Sequence, residues 1–357
     1  MTEAPQAVRS GEELDIEALR KYLRPHVDSS LDELSVSQFP GGHSNLTYML
    51  KAGALELVLR RPPFGAKIAT GHDMAREHQV LEGLARAGKA APKPIAFCGD
   101  ESIIGAPFYV MERVRGVIIR KAKAPDGHAL DQTTMRGLCE SMVDGLVDLH
   151  ATDLELSGFE DLGKPDGYVA RQVSGWTTRY QKSQTDKVSD MESVAEWLRA
   201  NQPPSQSGAF IHNDYKLDNL VLDAEDLTQI ESILDWEMAT VGDPLMDLGT
   251  TLGYWVEASD PDSMKTSPFP PTFLAGSLSR QEVVERYSEK SGRDVAAPVF
   301  YYAYGLFKIA VIAQQIYRRF KDGHSKDPRF ARMLFAVTLL AQTAAKAIDR
   351  DRIHNLA

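Results

Sequence analysis

The chain has 357 residues, with 40 Lys plus Arg against 50 Asp plus Glu and a formal net charge of −10. That length supports one large or two moderate domains with their own cores, and the mixing of acids and bases along the chain argues against a generic nucleic-acid binder while leaving room for a local basic pocket. The two cysteines, Cys98 and Cys139, have neither metal-ligand spacing nor an extracellular disulfide framework, so a reducing, cytoplasmic setting is expected.

The N-terminus, MTEAPQAVRSGEELD, is polar and lacks the apolar core of a signal peptide. A capped helix is predicted over Asp15–Leu23. Glu33–Phe39 and Asn45–Lys51 read as strands joined by a Gly-rich turn, and Leu55–Arg60 as a third. Arg61-Pro-Pro-Phe-Gly65 breaks the pattern, and a helix follows over His72–Ala87. Two short apolar runs, Ile95–Cys98 and Phe108–Glu112, precede a connector at Arg113-Val-Arg-Gly116.

From Gln132 the chain turns mainly helical, with 3.6-residue periodicity over Met135–His150, Met191–Ala200, Arg280–Glu289, Phe300–Phe320 and Phe330–Ile348. Phe300–Tyr317 is the most apolar stretch, but it carries Lys308, Gln314 and Gln315, which marks a buried helix rather than a membrane span. The expected organisation is α+β in two lobes. Residues 1–115 form a small, mainly β lobe with one key helix, and residues 116–357 a larger, mainly helical lobe with a β-hairpin at its top. Ligands in such a layout bind where lobes meet.

That hairpin carries the chemistry. Phe210-Ile-His-Asn-Asp-Tyr-Lys-Leu-Asp-Asn-Leu-Val-Leu-Asp223 reads strand, polar turn, strand, with His212, Asp214 and Asn219 spaced H-x-D-x-x-x-x-N. Ile233-Leu-Asp-Trp-Glu237 follows. Transfer of a phosphoryl group to a neutral hydroxyl needs a carboxylate to orient the hydroxyl and accept its proton, and Asp214 fits that role. Asn219 and Asp235 offer an amide oxygen and a carboxylate to Mg²⁺ beside the same phosphate. Singly, each of these residues is an ordinary turn former; their joint spacing between strands is what points to chemistry. His212 is read as bracing Asp214 by hydrogen bonding, with a proton shuttle as the alternative.

With these residues in place, the chain resembles the aminoglycoside phosphotransferase superfamily, which has a protein-kinase-like fold. More narrowly it resembles the branch that occurs as kinase-like domains fused to, or beside, acyl-CoA dehydrogenases. The likeness runs from Phe39-Pro-Gly-Gly-His-Ser-Asn45 to Asp327-Pro-Arg-Phe330. It includes Leu57-Val-Leu-Arg-Arg-Pro-Pro63, Arg76-Glu-His-Gln-Val-Leu81, Pro107-Phe-Tyr-Val-Met-Glu112, Asp235-Trp-Glu237 and Gly242-Asp-Pro-Leu-Met-Asp-Leu-Gly249.

The resemblance implies an ATP (or GTP) and Mg²⁺ site. Gly41, Gly42, Ser44 and Asn45 would form a nucleotide-covering loop whose glycines allow close backbone approach to phosphate. Arg60 stands where such kinases usually have a phosphate-pairing lysine, and its fork can grip phosphate oxygens in a bidentate way. Arg61 and Lys67 are alternatives for that contact, and Glu77 would be the ion-pair partner. Met111, Glu112 and Val114 would read the base edge through the backbone. Asp243 and Asp247 are read as capping and bracing.

The acceptor is less sharply written. Tyr168-Val-Ala-Arg-Gln172 with Trp176, Arg179 and Tyr180 forms an aromatic and basic helical face, and Lys308, Arg318 and Arg319 lie on a later helix. Arg171, Trp176, Glu237 and Lys308 are the candidate acceptor contacts. Basic groups suit an anionic acceptor such as a CoA thioester, whereas an aminoglycoside would need carboxylates; a lobe-packing role for the same stripe is the plain alternative. The branch resemblance implies a hydroxyacyl-CoA. The competing expectations are an aminoglycoside or amino-alcohol kinase and a non-catalytic nucleotide-binding scaffold.

Overall fold

The computed structural model describes residues 5–28, 30–40, 45–63, 73–123, 127–265, 269–325 and 327–356. Two compact units emerge: Met1–Ile118 with Asp153–Phe159 and Asn219–Ala239, and Ile119–Thr152 with Glu160–Asp218 and Thr240–Ala357. Elements are numbered along the chain.

The first unit is built on a five-stranded antiparallel sheet in the order β1-β2-β3-β5-β4, formed by β1 (Ser35–Gln38), β2 (Leu46–Ala52), β3 (Leu55–Arg61), β4 (Pro94–Cys98) and β5 (Phe108–Glu112). Strand residues alternate between the two faces. Leu46, Tyr48 and Leu50 of β2, Leu57 and Leu59 of β3, and Phe108 and Val110 of β5 bury one face against Leu19 and Leu23 of α1 (Ile16–Leu23). Asp15 caps that helix by accepting from Ala18 N–H at 3.0 Å. Asp73 does the same for α2 (Met74–Arg86), accepting from Arg76 N–H at 3.0 Å. Two pieces distant in sequence complete the unit: the short α4 (Leu154–Ser157), and β7 (Leu220–Leu222) paired antiparallel with β8 (Ile230–Ile233).

The second unit is mainly helical: α3 (Gln132–His150), α5 (Tyr168–Ser183), α6 (Ser189–Ala200), α7 (Pro244–Tyr254), α8 (Arg280–Ser291), α9 (Pro298–Lys321) and α10 (Met333–Asp349). Strands β6 (Ala209–Ile211) and β9 (Thr240–Gly242) pair antiparallel. The spine is α9, with every residue from Val299 to Val311 buried. It crosses α7 at backbone contact: a β-carbon on Gly305 would stand 1.9 Å from the Gly249 carbonyl oxygen, so only glycine fits. The 328–349 stretch is apolar and long enough to cross a membrane by length and composition alone, and about a third of it is buried, including Val337, Leu340, Ala341, Ala344 and Ala347.

The antiparallel sheet and the helical unit are those of a kinase-like fold. The expected hairpin across His212–Asn219 does not form. β6 pairs with β9 and β7 pairs with β8, so the polar turn joins strands of two different ladders. The physical reason lies in the turn, which holds Asn213 at φ +67° and then makes a 3₁₀ turn at Leu217–Asn219, too long a path to close a tight hairpin. The predicted 330–348 helix starts later, after a 3₁₀ turn at Pro328–Arg332 capped by Asp327.

Candidate active site

In the first unit, strand alternation separates two neighbouring arginines. Arg61 shares the buried face with Leu57 and Leu59; it is 1% exposed, and its guanidinium donates to the carbonyls of Ile104 (2.7 Å) and Pro62 (3.1 Å). Arg60 points the other way and meets three carboxylates. Its Nη1 is 3.5 Å from Glu77 Oε2, its Nη2 is 3.2 Å from Asp235 Oδ1, and Glu237 Oε2 lies at 3.8 Å. Arg60, not Arg61, therefore joins Glu77. Gly41, Gly42, Ser44 and Lys67 lie outside the described residues.

Glu77, on α2, is 2% exposed. Tyr109 donates its hydroxyl to Glu77 at 2.9 Å, and Asn45 Nδ2 donates to it at 3.1 Å and to Glu237 at 3.4 Å. Burial pushes the Glu77 carboxyl above its ordinary range, against the pull of Arg60, Tyr109 and Asn45. For Arg60, burial acts to discharge the guanidinium, but its neighbours Tyr109, Glu77, Asp235 and Glu237 leave it more firmly protonated than usual. Asn45 thus serves the carboxylates.

The β7–β8 ladder brings Asn219 and Asp235 to one end: Leu220 pairs with Ile233, and Leu234 N–H donates to Asn219 C=O at 2.8 Å. Asp235 has φ +69°, a left-handed conformation that costs a residue with a β-carbon about 1–2 kcal/mol. Trp236 anchors the turn after it, donating its indole N–H to Ile233 C=O at 2.9 Å. An amide and a carboxylate are hard oxygen donors, and Asp235 already takes a cationic partner in Arg60, so the pair fits Mg²⁺ chemistry. Met111, next to last in β5, is buried, Glu112 at its end gives its N–H to Lys93 C=O at 2.9 Å, and Val114 follows, half-buried.

In the second unit, the 212–214 turn is tied down by Asp247 of α7. This fully buried carboxylate accepts from His212 N–H at 2.8 Å and Asn213 N–H at 2.7 Å, and lies 3.1 Å from His150 Nε2, whose Nδ1 meets Tyr287 hydroxyl at 2.7 Å. Burial alone would raise the Asp247 carboxyl; the bonds from His150 and the His212 backbone outweigh it and hold it below its ordinary value. His212 is buried, and its Nδ1 accepts the Asp214 N–H at 3.2 Å. Asp214 Oδ2 sits 2.9 Å from Lys216 Nζ, which lies 4.7 Å above the Tyr254 ring. Sequence reasoning passed over Lys216, although it stands two residues after Asp214. His150 and Tyr254 carry no local signal at all.

The basic acceptor face expected around α5 is largely committed elsewhere. Arg171 gives its guanidinium to the carbonyls of Lys164 and Asp166. Lys308 is 1% exposed and donates to Asn213 C=O at 2.5 Å. Trp176 is nearly buried, donates to Gln172 at 3.1 Å, and has the exposed Arg179 guanidinium 4.7 Å over its ring. Of the expected acceptor residues, Glu237 belongs with the Arg60 cluster in the first unit. A cavity of about 440 Å³ in the second unit, lined in part by Glu257, Thr272, Ser279 and His354, includes none of the expected site residues.

Residues 35–278 match the phosphotransferase enzyme family. The chain is 33% identical over 94% of its length to acyl-CoA dehydrogenase family member 11 of Rattus norvegicus, and covers 43% of that protein. It thus spans less than half of that curated relative. Among solved structures, a protein of Ralstonia eutropha JMP134 described provisionally as an aminoglycoside phosphotransferase superposes with a TM-score of 0.78 at 29% identity, covering 94% of this chain and 99% of that one. An aminoglycoside phosphotransferase in ternary complex with AMP-PNP and hygromycin B has the same fold, with a TM-score of 0.58 at 15% identity over 92% of this chain and 98% of its own.

Proposed function

The chain belongs to the phosphotransferase enzyme family, and from that premise we propose that it transfers the γ-phosphoryl group of ATP to the hydroxyl of a small molecule, a hydroxyacyl-CoA. The observation that carries the nucleotide half is Arg60 held by Glu77 and Asp235, a fork matched to phosphate oxygens and kept charged by its neighbours. Glu77, braced by Tyr109 and Asn45, keeps that fork aimed. Asn219 and Asp235 are the residues to hold Mg²⁺, which when bound neutralises charge on the phosphates. Asp214 takes the acceptor's proton; His212 fixes the backbone it stands on, and Lys216 keeps its carboxylate partnered until the acceptor arrives. Gly41, Gly42 and Ser44 would cover the phosphates, and Met111 to Val114 would meet the base. GTP is the alternative donor; ATP is preferred because a protein of the same fold holds AMP-PNP. Two buried free thiols, Cys98 and Cys139, suit a reducing compartment.

For the acceptor, the supporting observation is likeness over 94% of the chain to a protein named for acyl-CoA dehydrogenases. The basic face lends less support, since Arg171 and Lys308 are occupied by backbone carbonyls. The second reading, an aminoglycoside or amino-alcohol kinase, is favoured in its aminoglycoside half by the 29%-identical structure described as an aminoglycoside phosphotransferase. A screen of ATP-dependent ADP release separates them. Turnover with 4-hydroxyacyl-CoA thioesters and none with aminoglycosides or choline-type alcohols is expected; the reverse preference would sink the CoA assignment.

A further inference from the structure

Lys308 sits mid-way along α9, in the apolar spine of the second unit, and is 1% exposed. Burial holds its ammonium down to a pKa of about 8; Asp214 and Asp247 favour the charged form, Lys216 and Arg179 oppose it. Desolvating the ammonium costs free energy, and the hydrogen bonds it gives the turn offset that cost.

What the ammonium touches is a single residue of the catalytic turn. Lys308 Nζ lies 2.5 Å from the Asn213 carbonyl oxygen and 3.4 Å from its Oδ1, with Thr250 Oγ1 also at 3.4 Å. Asn213 is held at φ +67°, its N–H is taken by Asp247 at 2.7 Å, and its side chain exchanges hydrogen bonds with the Tyr168 hydroxyl at 3.1 and 3.2 Å. The Asn213 carbonyl and the Asp214 N–H belong to one peptide plane. Lys308 grips one edge of that plane, and His212 Nδ1 grips the other at 3.2 Å. The tilt of the plane sets the backbone angles on either side of it, and so the direction in which the Asp214 side chain leaves the chain.

We propose that Lys308 is a positioning residue for Asp214: its ammonium locks the Asn213–Asp214 peptide plane and thereby aims the carboxylate. This rests on the reading of Asp214 as the base. A role through the backbone also explains why so buried a cation lies under the turn rather than in an acceptor pocket.

The test compares wild type, Lys308→Met and Lys308→Gln in the full chain by hydrogen exchange over residues 209–217, urea unfolding, and steady-state kinetics. In Lys308→Met, exchange at the Asn213 and Asp214 amides should accelerate about 10-fold or more, beyond what any change in the urea midpoint accounts for. Its kcat should fall about 10- to 100-fold with KM for ATP within about 2-fold, as for a misaimed catalytic group. Lys308→Gln, a shorter neutral donor, should lie between the two and serves as the readout if the methionine variant does not fold. Unchanged exchange, or a kcat loss that only tracks lost stability, would overturn the proposal. Asp214→Asn in the same assays keeps the two readings apart. If it turns over normally while Lys308→Met exchanges fast, the base assignment fails and the lock stands. If exchange in Lys308→Met is unchanged, the lock fails whatever Asp214→Asn does.

Discussion

Replacing Asp247 with asparagine tests whether the catalytic turn is held by one buried carboxylate. In the wild type, Oδ1 takes Asn213 N–H at 2.7 Å, and Oδ2 takes His212 N–H at 2.8 Å and faces His150 Nε2 at 3.1 Å. Asparagine keeps one acceptor oxygen and turns an NH₂ group toward a buried donor. A buried N–H left unpaired costs about 1–3 kcal/mol, and loss of the charge-assisted bond adds to it, so about 2–4 kcal/mol is expected in all. At roughly 2–4 °C per kcal/mol for a unit of this size, Tm should drop by about 5–15 °C. The carboxyl's value is depressed in the folded protein, so its contribution is present above the unfolded value of about 3.9 and disappears as pH falls through the lower folded value. Thermal and urea unfolding at pH 7 and from about pH 4 down to about pH 2 read this out. The gap between wild type and Asp247→Asn should be full at pH 7 and narrow only below about pH 4. Equal midpoints at pH 7 would refute the reasoning.

Gly305→Ala should destabilise the helical unit by about 1–3 kcal/mol or abolish its folding, because the new methyl meets backbone, which cannot turn aside as a side chain can; a urea midpoint at the wild-type value would show that α7 and α9 part easily. Arg60→Gln removes the cation that restrains Glu77, so the carboxyl's already raised pKa rises further. A raised carboxyl means the folded state takes up a proton first, so the variant should gain stability, relative to wild type, as pH falls from 7 toward 5. Parallel pH profiles for the two proteins would argue that Arg60 and Glu77 do not interact in solution.

Local signals made much of the architecture readable. The strand patterns of β2 and β3, the apolar run of β5, the capped helix beginning at Asp15, and the helical periodicity of α3 and α9 all reappear as elements. The H-x-D-x-x-x-x-N spacing was visible because the residues that share the turn also share a stretch of sequence. Hairpin pairing was misjudged because β6 and β7 look like neighbours along the chain, while their partners, β9 and β8, are read only from hydrogen bonds. The supports of the turn were hidden for the same reason. Lys308 lies 95 residues from Asn213, and His150 lies 97 from Asp247, so no motif window contains either pair. A buried lysine in an apolar helix was the one available hint. It was read as a candidate acceptor contact, and its ammonium bonds the Asn213 carbonyl.

The most direct test of the central claim follows the phosphoryl group itself. Wild-type protein and Asp214→Asn are incubated with ATP, Mg²⁺ and a 4-hydroxyacyl-CoA, and ³¹P NMR tracks the product. The account predicts a new phosphate-ester resonance from the wild type, growing in step with ADP, and at least an about 100-fold slower appearance with Asp214→Asn. An ester that forms equally fast in Asp214→Asn, or ADP released only alongside inorganic phosphate, would contradict it.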